Sequence, residues 1–360
     1  MNWEKKSLTD CLWFQRGFDL PRDSFIDGEV PVVGATSILG YHNEAKVKSP
    51  GIVTGRSGTI GQFQYLKTDF WPHNTSLWVK DFMGNDERFA YYLLHTLDFK
   101  SLNGGGAVPS LNRNFLSSIY VNLPPLPTQR RIASILSAYD DLIENNLRRI
   151  KLLEEKAEMR YKEIVRGEKL EKHSLSDFGE IITGKTPSTT VADYFGLDVP
   201  FIKTPDMHNQ IYIEHTDQML SELGAKSQEK KFLPPLSLCV SCIGTAGVVG
   251  ITSKPSQTNQ QINSIVFYEQ KNVYFFYALM SQMKEQLDAL GSNGSTFTNV
   301  NKYKFENMQV FVPDKKVLKG FADEFEVAFN LILNLQKQNA KLREARDILL
   351  PKLMNGQIEL

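Results

Sequence analysis

Residues Leu123–Gly167 read LPPLPTQRRIASILSAYDDLIENNLRRIKLLEEKAEMRYKEIVRG. Pro124, Pro125 and Pro127 end whatever precedes them, because proline lacks an N–H and is excluded from helix interiors. Thr128 is a suitable N-cap, and neither Gly nor Pro follows until Gly167, a natural C′ residue. Between them Ile132, Leu136, Tyr139, Ile143, Asn146, Ile150, Leu153, Ala157, Arg160 and Ile164 recur at alternating steps of four and three. That spacing places all ten on one narrow seam, as in a coiled coil. At 1.5 Å per residue such a helix spans roughly 57 Å, and it cannot bury its seam against itself.

A partner lies in the same chain. From Val312 the sequence runs VPDKKVLKGFADEFEVAFNLILNLQKQNAKLREARDILLPKLMNGQIEL. A shift of 189 carries the first seam onto Phe321, Phe325, Ala328, Ile332, Leu335, Asn339, Leu342, Arg346, Leu349 and Leu353, and carries Gly167 onto Gly356. This internal repeat decides the architecture. In an antiparallel pair about a pseudo-two-fold axis, pairing Asn146 with Asn339 satisfies the one amide in each seam. The same register sets Tyr139 opposite Arg346 and Arg160 opposite Phe325, both open to cation–π contact, and Ala157 opposite Ala328. Pro351 interrupts the second helix and is expected to kink its last turn.

The segments outside the helices repeat as well. Ser7-Leu8-Thr9-Asp10 matches Ser174-Leu175-Ser176-Asp177, and Glu29-Val-Pro-Val-Val matches Asp198-Val-Pro-Phe-Ile. Gly55-x-x-Gly58-x-x-Gly61 is paired with Gly244-x-x-Gly247-x-x-Gly250 at 189, and the roughly 22 extra residues of the second copy are assigned to Gln210–Lys231. Short β-branched runs at Val30–Val33, Gly51–Thr54, Ser76–Val79 and Ser118–Leu123 predict strands, and Asp86–Phe99 predicts an amphipathic helix. The fold class is α/β: two mixed α/β domains, residues 1–122 and 169–312, with long helices over 123–168 and 313–360 packed antiparallel.

The chain has 360 residues, 41% hydrophobic and 23% charged, enough for two cored domains. No apolar run reaches the ~18 residues of a membrane span, and MNWEKKSLTD lacks a signal peptide's apolar core. Three cysteines form no disulfide framework, so a cytoplasmic location is expected. Equal numbers of basic and acidic residues, 41 each, weigh against a broad basic nucleic-acid surface but leave room for local basic clefts.

Several motifs invite other readings. Gly179-Glu-Ile-Ile-Thr-Gly184-Lys185-Thr186 satisfies the Walker A pattern, but a P-loop needs a buried strand before it and a helix at Lys-Thr, where here Pro187 follows. Cys239 and Cys242 have CxxC spacing without a second pair; on a strand three-residue spacing sends them to opposite faces. No F-x-G-x-G or [DN]-P-P-[YF] methyltransferase motif is present, and the six histidines are scattered. No catalytic or metal-binding set emerges. What suits DNA is a series of loops in which small residues let backbone approach phosphates while polar side chains reach base edges. In the first domain these carry Arg56, Ser57, Thr59, His73, Asn74 and Arg113. In the second they carry Lys203, Thr204, Thr245, Asn259, Gln260, Gln261, Asn301 and Lys302.

The whole chain resembles the specificity (S) subunit of type I restriction–modification systems. Leu123-Pro124-Pro125-Leu126-Pro127-x-Gln129-x-x-Ile132 is similar to that family's P-P-L-x-x-Q-x-x-I entrance to a spacer helix, and Gly184-x-Thr186-Pro187 to its G-x-T-P. The second helix lacks the P-P-L and the Gln, and the first domain has Gly17-Phe18-Asp19-Leu20-Pro21 in place of G-x-T-P. The resemblance implies a non-catalytic subunit that binds double-stranded DNA, each domain reading half of a split target while the helices set the gap. It further implies two methylation (M) subunits using S-adenosylmethionine, and restriction (R) subunits using ATP and Mg, with no cofactor in this chain and no membrane association. The alternatives are a methyltransferase or NTPase in its own right, or a coiled-coil scaffold with two protein-binding heads.

Overall fold

The computed structural model describes residues 3–56, 60–99, 116–292 and 298–360. They fall into two units, Met1–Ile143 with Leu342–Leu360, and Glu144–Lys341. In the first unit the elements are β1 (Glu4–Ser7), α1 (Leu8–Cys11), β2 (Trp13–Arg16), β3 (Val30–Val33), β4 (Ile38–His42), β5 (Gly51–Gly55), β6 (Phe63–Leu66), β7 (Trp71–Pro72), β8 (Ser76–Asp81), α2 (Glu87–His95) and β9 (Tyr120–Leu123). The strands form a four-stranded sheet β2-β8-β5-β6, a three-stranded sheet β4-β3-β7, and a ribbon of β1 and β9. Phe14, Ile52, Phe63, Leu77, Phe89 and Leu94 fill the core between the larger sheet and α2. Asp86 caps α2 by accepting from Phe89 N at 2.9 Å. The helix stops at His95 rather than Phe99, because Thr96 turns both its N–H and its hydroxyl onto the Leu93 carbonyl.

The first long helix, α3 (Leu126–Gly167), is followed by β10 (Glu171–Ser174), β11 (Gly179–Thr183), β12 (Phe195–Ile202), β13 (Tyr212–Ile213), β14 (Met219–Leu220), α4 (Glu222–Lys226), β15 (Leu238–Ser241), β16 (Ile243–Gly244), β17 (Val249–Thr252), β18 (Gln257–Thr258) and β19 (Ile262–Phe267). Next come α5 (Val273–Ser281), α6 (Lys284–Gly291), β20 (Thr298–Asn299), α7 (Lys302–Glu306), β21 (Gln309–Val312) and the second long helix α8 (Lys315–Met354). The second unit repeats the first: β11-β19-β15-β17 with β13 added at the edge, β14-β12-β18, and a ribbon of β10 and β21. Among the described residues no helix is long and apolar enough to cross a membrane.

Strand register corrects the alignment of the copies. Arg16 pairs with Leu77 as Thr183 pairs with Asn263, and Gly55 pairs with Ser76 as Ser241 pairs with Ile262. Gly55 therefore corresponds to Ser241, a shift of 186, and Gly61 to Gly247, both at positive φ, +79° and +85°. The glycine triplets thus align one Gly-x-x step, three residues, short of the 189 shift expected from sequence. The inserted residues are also spread more widely than Gln210–Lys231. Four residues join β3 to β4, whereas sixteen lie between β12 and β14; eight join β4 to β5, whereas seventeen lie between β14 and β15. The first insertion supplies β13, whose Tyr212 exchanges two backbone hydrogen bonds with the Gln336 amide, at 3.0 and 3.1 Å.

The seam reading holds along both helices. Ile132, Leu136, Ile143, Asn146, Ile150, Ala157 and Ile164 are buried on α3, and Phe321, Phe325, Ile332, Leu335, Asn339 and Leu353 on α8. In the second unit the expected Asn–Asn layer is present: Asn146 Nδ2 donates to Asn339 Oδ1 at 2.9 Å. The two cation–π pairs differ from expectation. Arg160 reaches Glu324 at 3.3 Å while Lys156 lies over the Phe325 ring, and in the first unit Arg346 donates to Asp140 at 2.7 Å. A carboxylate one position away offers a guanidinium a charge-assisted hydrogen bond that a ring face cannot match. In the second unit Asn146 meets Asn339 and Arg160 meets Glu324, so the two helices run antiparallel there.

The helix entrances differ in kind. α3 begins at Leu126, so Pro127 sits in its first turn, where a missing N–H costs nothing, and Thr128 is inside the helix rather than its cap. Buried Gln129 accepts from Asp86 N at 3.0 Å and donates to Asn85 Oδ1 and the Pro124 carbonyl. The equivalent place on α8 is buried Leu318, and Asp314 accepts from Val317 N at 2.9 Å. One entrance is clasped by an amide, the other by an apolar contact and an N-cap. α8 runs through Pro351 to Met354.

Candidate nucleic-acid interface

The tightest correspondence between the copies is a turn that each domain builds from two separated segments. In the first domain Gly17, just past β2, meets the backbone after β7: Phe18 N donates to the Pro72 carbonyl, and a Cβ on Gly17 would collide with the carbonyls of Pro72 and His73. In the second domain Lys185 N donates to the Thr258 carbonyl, and a Cβ on Gly184 would collide with Thr258 and Asn259. Only glycine allows so close an approach. The departure of Gly17-Phe18-Asp19 from G-x-T-P thus conceals an identical role for the glycine.

The turns that follow use the same hydrogen bonds. His73 N donates to the Val33 carbonyl as Asn259 N does to that of Ile202, and Ser76 N returns to His73 O as Ile262 N does to Asn259 O. His73 Nδ1 accepts from Thr75 N at 3.4 Å, and Asn259 Oδ1 from Gln261 N at 3.1 Å, each side chain bracing its own turn. At the tip Asn74 Nδ2 donates to Asp19 Oδ1, and Thr186 Oγ1 donates to Gln260 Oε1 at 2.7 Å. Asp19 and Thr186 both stand two places after their glycine. Neither was among the candidates selected from sequence; the signal that finds them is their offset from Gly17 and Gly184.

Around the first turn, Arg16 Nε donates to the Asn74 carbonyl at 3.4 Å and Arg56 N to that of Thr75 at 3.0 Å, so two arginines flank the tip. Arg56 thus lies beside His73 and Asn74. Ser57, Thr59 and Arg113 lie outside the described residues. In the second domain Gln260 and Thr245 are exposed, and Gln261 is half-buried with its Oε1 accepting from Asn259 Nδ2 at 3.0 Å. Asn259 itself is 8% exposed and serves the turn rather than the surface. The ends of the Gln257–Asn263 run are internal: Gln257 Nε2 donates to the Ala225 carbonyl, and Asn263 bonds Thr183 and the Val300 carbonyl.

Lys203 is half-buried above the Phe201 ring, and Thr204 is buried at the start of a 3-10 turn held by Asp206, whose carboxylate accepts from Lys203 N at 2.8 Å. Thr204 therefore does not present its hydroxyl to solvent. Asn301 caps α7, its Oδ1 accepting from Lys304 N at 2.9 Å, and Lys302 is exposed beside it. The cap consumes the acceptor of Asn301 and leaves its amide N–H groups.

The competing motifs resolve locally. Gly179–Thr183 is an antiparallel strand on β19, and no helix follows Lys185-Thr186, so the P-loop geometry is absent. Cys239 packs into one apolar cluster and Cys242 into another. Burial pushes their thiols up to about 12 and about 11. Among the described residues no three His, Cys, Asp or Glu side chains are grouped to hold a metal ion.

Residues 1–155 and 167–344 match the family model of the type I restriction modification DNA specificity domain. Over 190 residues the chain is 45% identical to the type I restriction enzyme HindI specificity subunit of Haemophilus influenzae, covering 52% of this chain and 41% of that protein. It is 26% identical over 302 residues to the MjaIX specificity subunit of Methanocaldococcus jannaschii, covering 76% and 69%. The chain thus spans less than half the length of the first of these relatives. The crystal structure of the type I restriction-modification system S subunit from M. genitalium shares the fold, with a TM-score of 0.66 at 15% identity over 98% of this chain and 96% of that one. Two copies of one scaffold, each matched by the same domain family, lead to one conclusion: the chain belongs to the type I restriction modification DNA specificity family and carries two of its specificity domains.

Proposed function

We propose that this chain is the non-catalytic subunit that reads a split duplex target, one half per domain, and brings methylation and restriction subunits to it. The observation that carries this reading is the duplicated turn. Its backbone hydrogen bonds and its glycine are the same in both domains, while the tip residues differ, Asn74 in one and Gln260 in the other. A shared scaffold with different tips is what two independent half-sites require. On this reading the two long helices set the gap, S-adenosylmethionine, ATP and Mg belong to two M subunits and to the R subunits, and the complex works in the cytoplasm.

The test is to replace residues 1–122 with the first domain of another family member and map the methylated motif in cells that also carry the methylation partner. One half of the motif changes and the other stays. A change in both halves, or in neither, overturns the assignment of one half-site to each domain.

A further inference from the structure

We propose that Asn74 and Gln260 are the equivalent base-reading side chains of the two domains, each positioned for the major-groove edge of an adenine by a residue behind it, Asp19 or Thr186. The inference deepens the split-target reading and rests on it. Strand register places Asn74 and Gln260 at the same point of the same turn, one residue past His73 and Asn259. The neighbouring polar side chains are committed elsewhere. His73 and Asn259 brace the turn, Gln257 and Asn263 are buried and bonded internally, and Gln261 is bonded to Asn259.

The chemistry of the two partners then decides what each tip can present. An ionised aspartate only accepts hydrogen bonds, so Asp19 requires the NH2 of Asn74 to face it. One N–H and the carbonyl of Asn74 remain, a donor beside an acceptor. That pair matches N7 and N6–H of adenine, which Asn and Gln bind bidentately. In the second domain the Thr186 hydroxyl occupies one lone pair of Gln260 Oε1 at 2.7 Å, leaving the second lone pair and the NH2. A hydroxyl can also accept, so Thr186 permits the Gln260 amide to turn over, while Asp19 holds Asn74 one way. Asp19 and Thr186 are positioning residues, and the first domain is the stricter reader.

The experiment is selection of bound duplexes from a randomised library by the full chain with its methylation partner, at fixed salt, for wild type and for Asn74→Ala, Gln260→Ala and Asp19→Asn. Asn74→Ala lowers the preference for adenine about tenfold at one position of one half, and Gln260→Ala does so in the other half. Asp19→Asn, which keeps size and the turn, weakens preference at the same position as Asn74→Ala and leaves the salt slope of binding unchanged. A merely structural aspartate would lower affinity at every position together. Wild-type base preferences in Asn74→Ala and Gln260→Ala overturn this assignment while the split-target reading stands. Selection of no sequence by the wild type overturns that reading, and this inference with it.

Discussion

Asn146 Nδ2 donates to Asn339 Oδ1 at 2.9 Å between two seams that are mostly apolar, and Asn339 Nδ2 has no hydrogen-bond partner among the described residues. A buried amide pair in such a seam costs stability and selects register, because sliding one helix by a heptad would strand both amides.

Removing one partner should hurt more than removing both. Asn146→Ala strands the Asn339 carbonyl in a buried layer, at a cost of about 1–3 kcal/mol. In Asn146→Leu/Asn339→Leu the layer becomes apolar throughout. Thermal unfolding should place the double variant's midpoint above that of either single alanine variant.

The two close-approach glycines should tolerate no side chain. Gly17→Ala drives a methyl into the Pro72 and His73 carbonyls, and Gly184→Ala into Thr258 and Asn259, all but one of the atoms met being backbone that cannot rotate away. Urea unfolding should show a loss of about 1–3 kcal/mol for each, typical of overpacking a filled site.

Glu154 should make stability fall as pH rises. Burial raises its carboxyl above the ordinary 4.5, although the hydrogen bond from Tyr277, at 2.6 Å, pulls the other way. A carboxyl whose folded pKa is raised binds more protons folded than unfolded, so its contribution is full below 4.5 and is lost as pH climbs through the raised value. Glu154→Gln keeps an acceptor for Tyr277 and cannot titrate. Chemical denaturation from pH 4 upward should show the difference in stability between variant and wild type growing in the variant's favour through that window.

The thiols should be inert until the chain unfolds. With Cys239 and Cys242 buried and their pKa values pushed up to about 12 and about 11, little thiolate exists at pH 8. A maleimide or disulfide reagent should label them at the unfolding rate in native buffer and within the mixing time in denaturant.

Arg346 should matter more than Tyr92 to the polar cluster on Asp140. Arg346 Nη1 and Tyr92 OH hold opposite carboxylate oxygens, at 2.7 and 2.5 Å. Both bonds end on a carboxylate that is only one-fifth exposed, so both are charge-assisted; Tyr92→Phe removes a neutral donor, at about 1.5 kcal/mol, whereas Arg346→Met removes a donor together with its opposite charge, at about 3 kcal/mol. Paired urea curves would give the order.

The division between what could be read in the chain and what could not follows the range of the interactions. The two long helices, their seams, the Asn146–Asn339 layer and the doubling of the domains were legible, since each depends on spacing along one strand of sequence or on one constant shift. The opposite burial of Cys239 and Cys242 followed from strand alternation in the same way. Boundaries at Leu126 and His95 were not legible, because single hydrogen bonds and the tolerance of a first turn for proline decide them. Nor was the glycine correspondence, which required the ladder pairing of Gly55 with Ser76 and of Ser241 with Ile262. The candidate site divides likewise. Asn74 and Gln260 stood out as polar residues in small-residue loops, but so did Asn259 and Thr204, which the fold buries. Sequence determines which residues are polar; only the tertiary structure brings Asp19 to Asn74 across 55 residues and Thr186 to Gln260 across 74, and it is that contact which orients an amide.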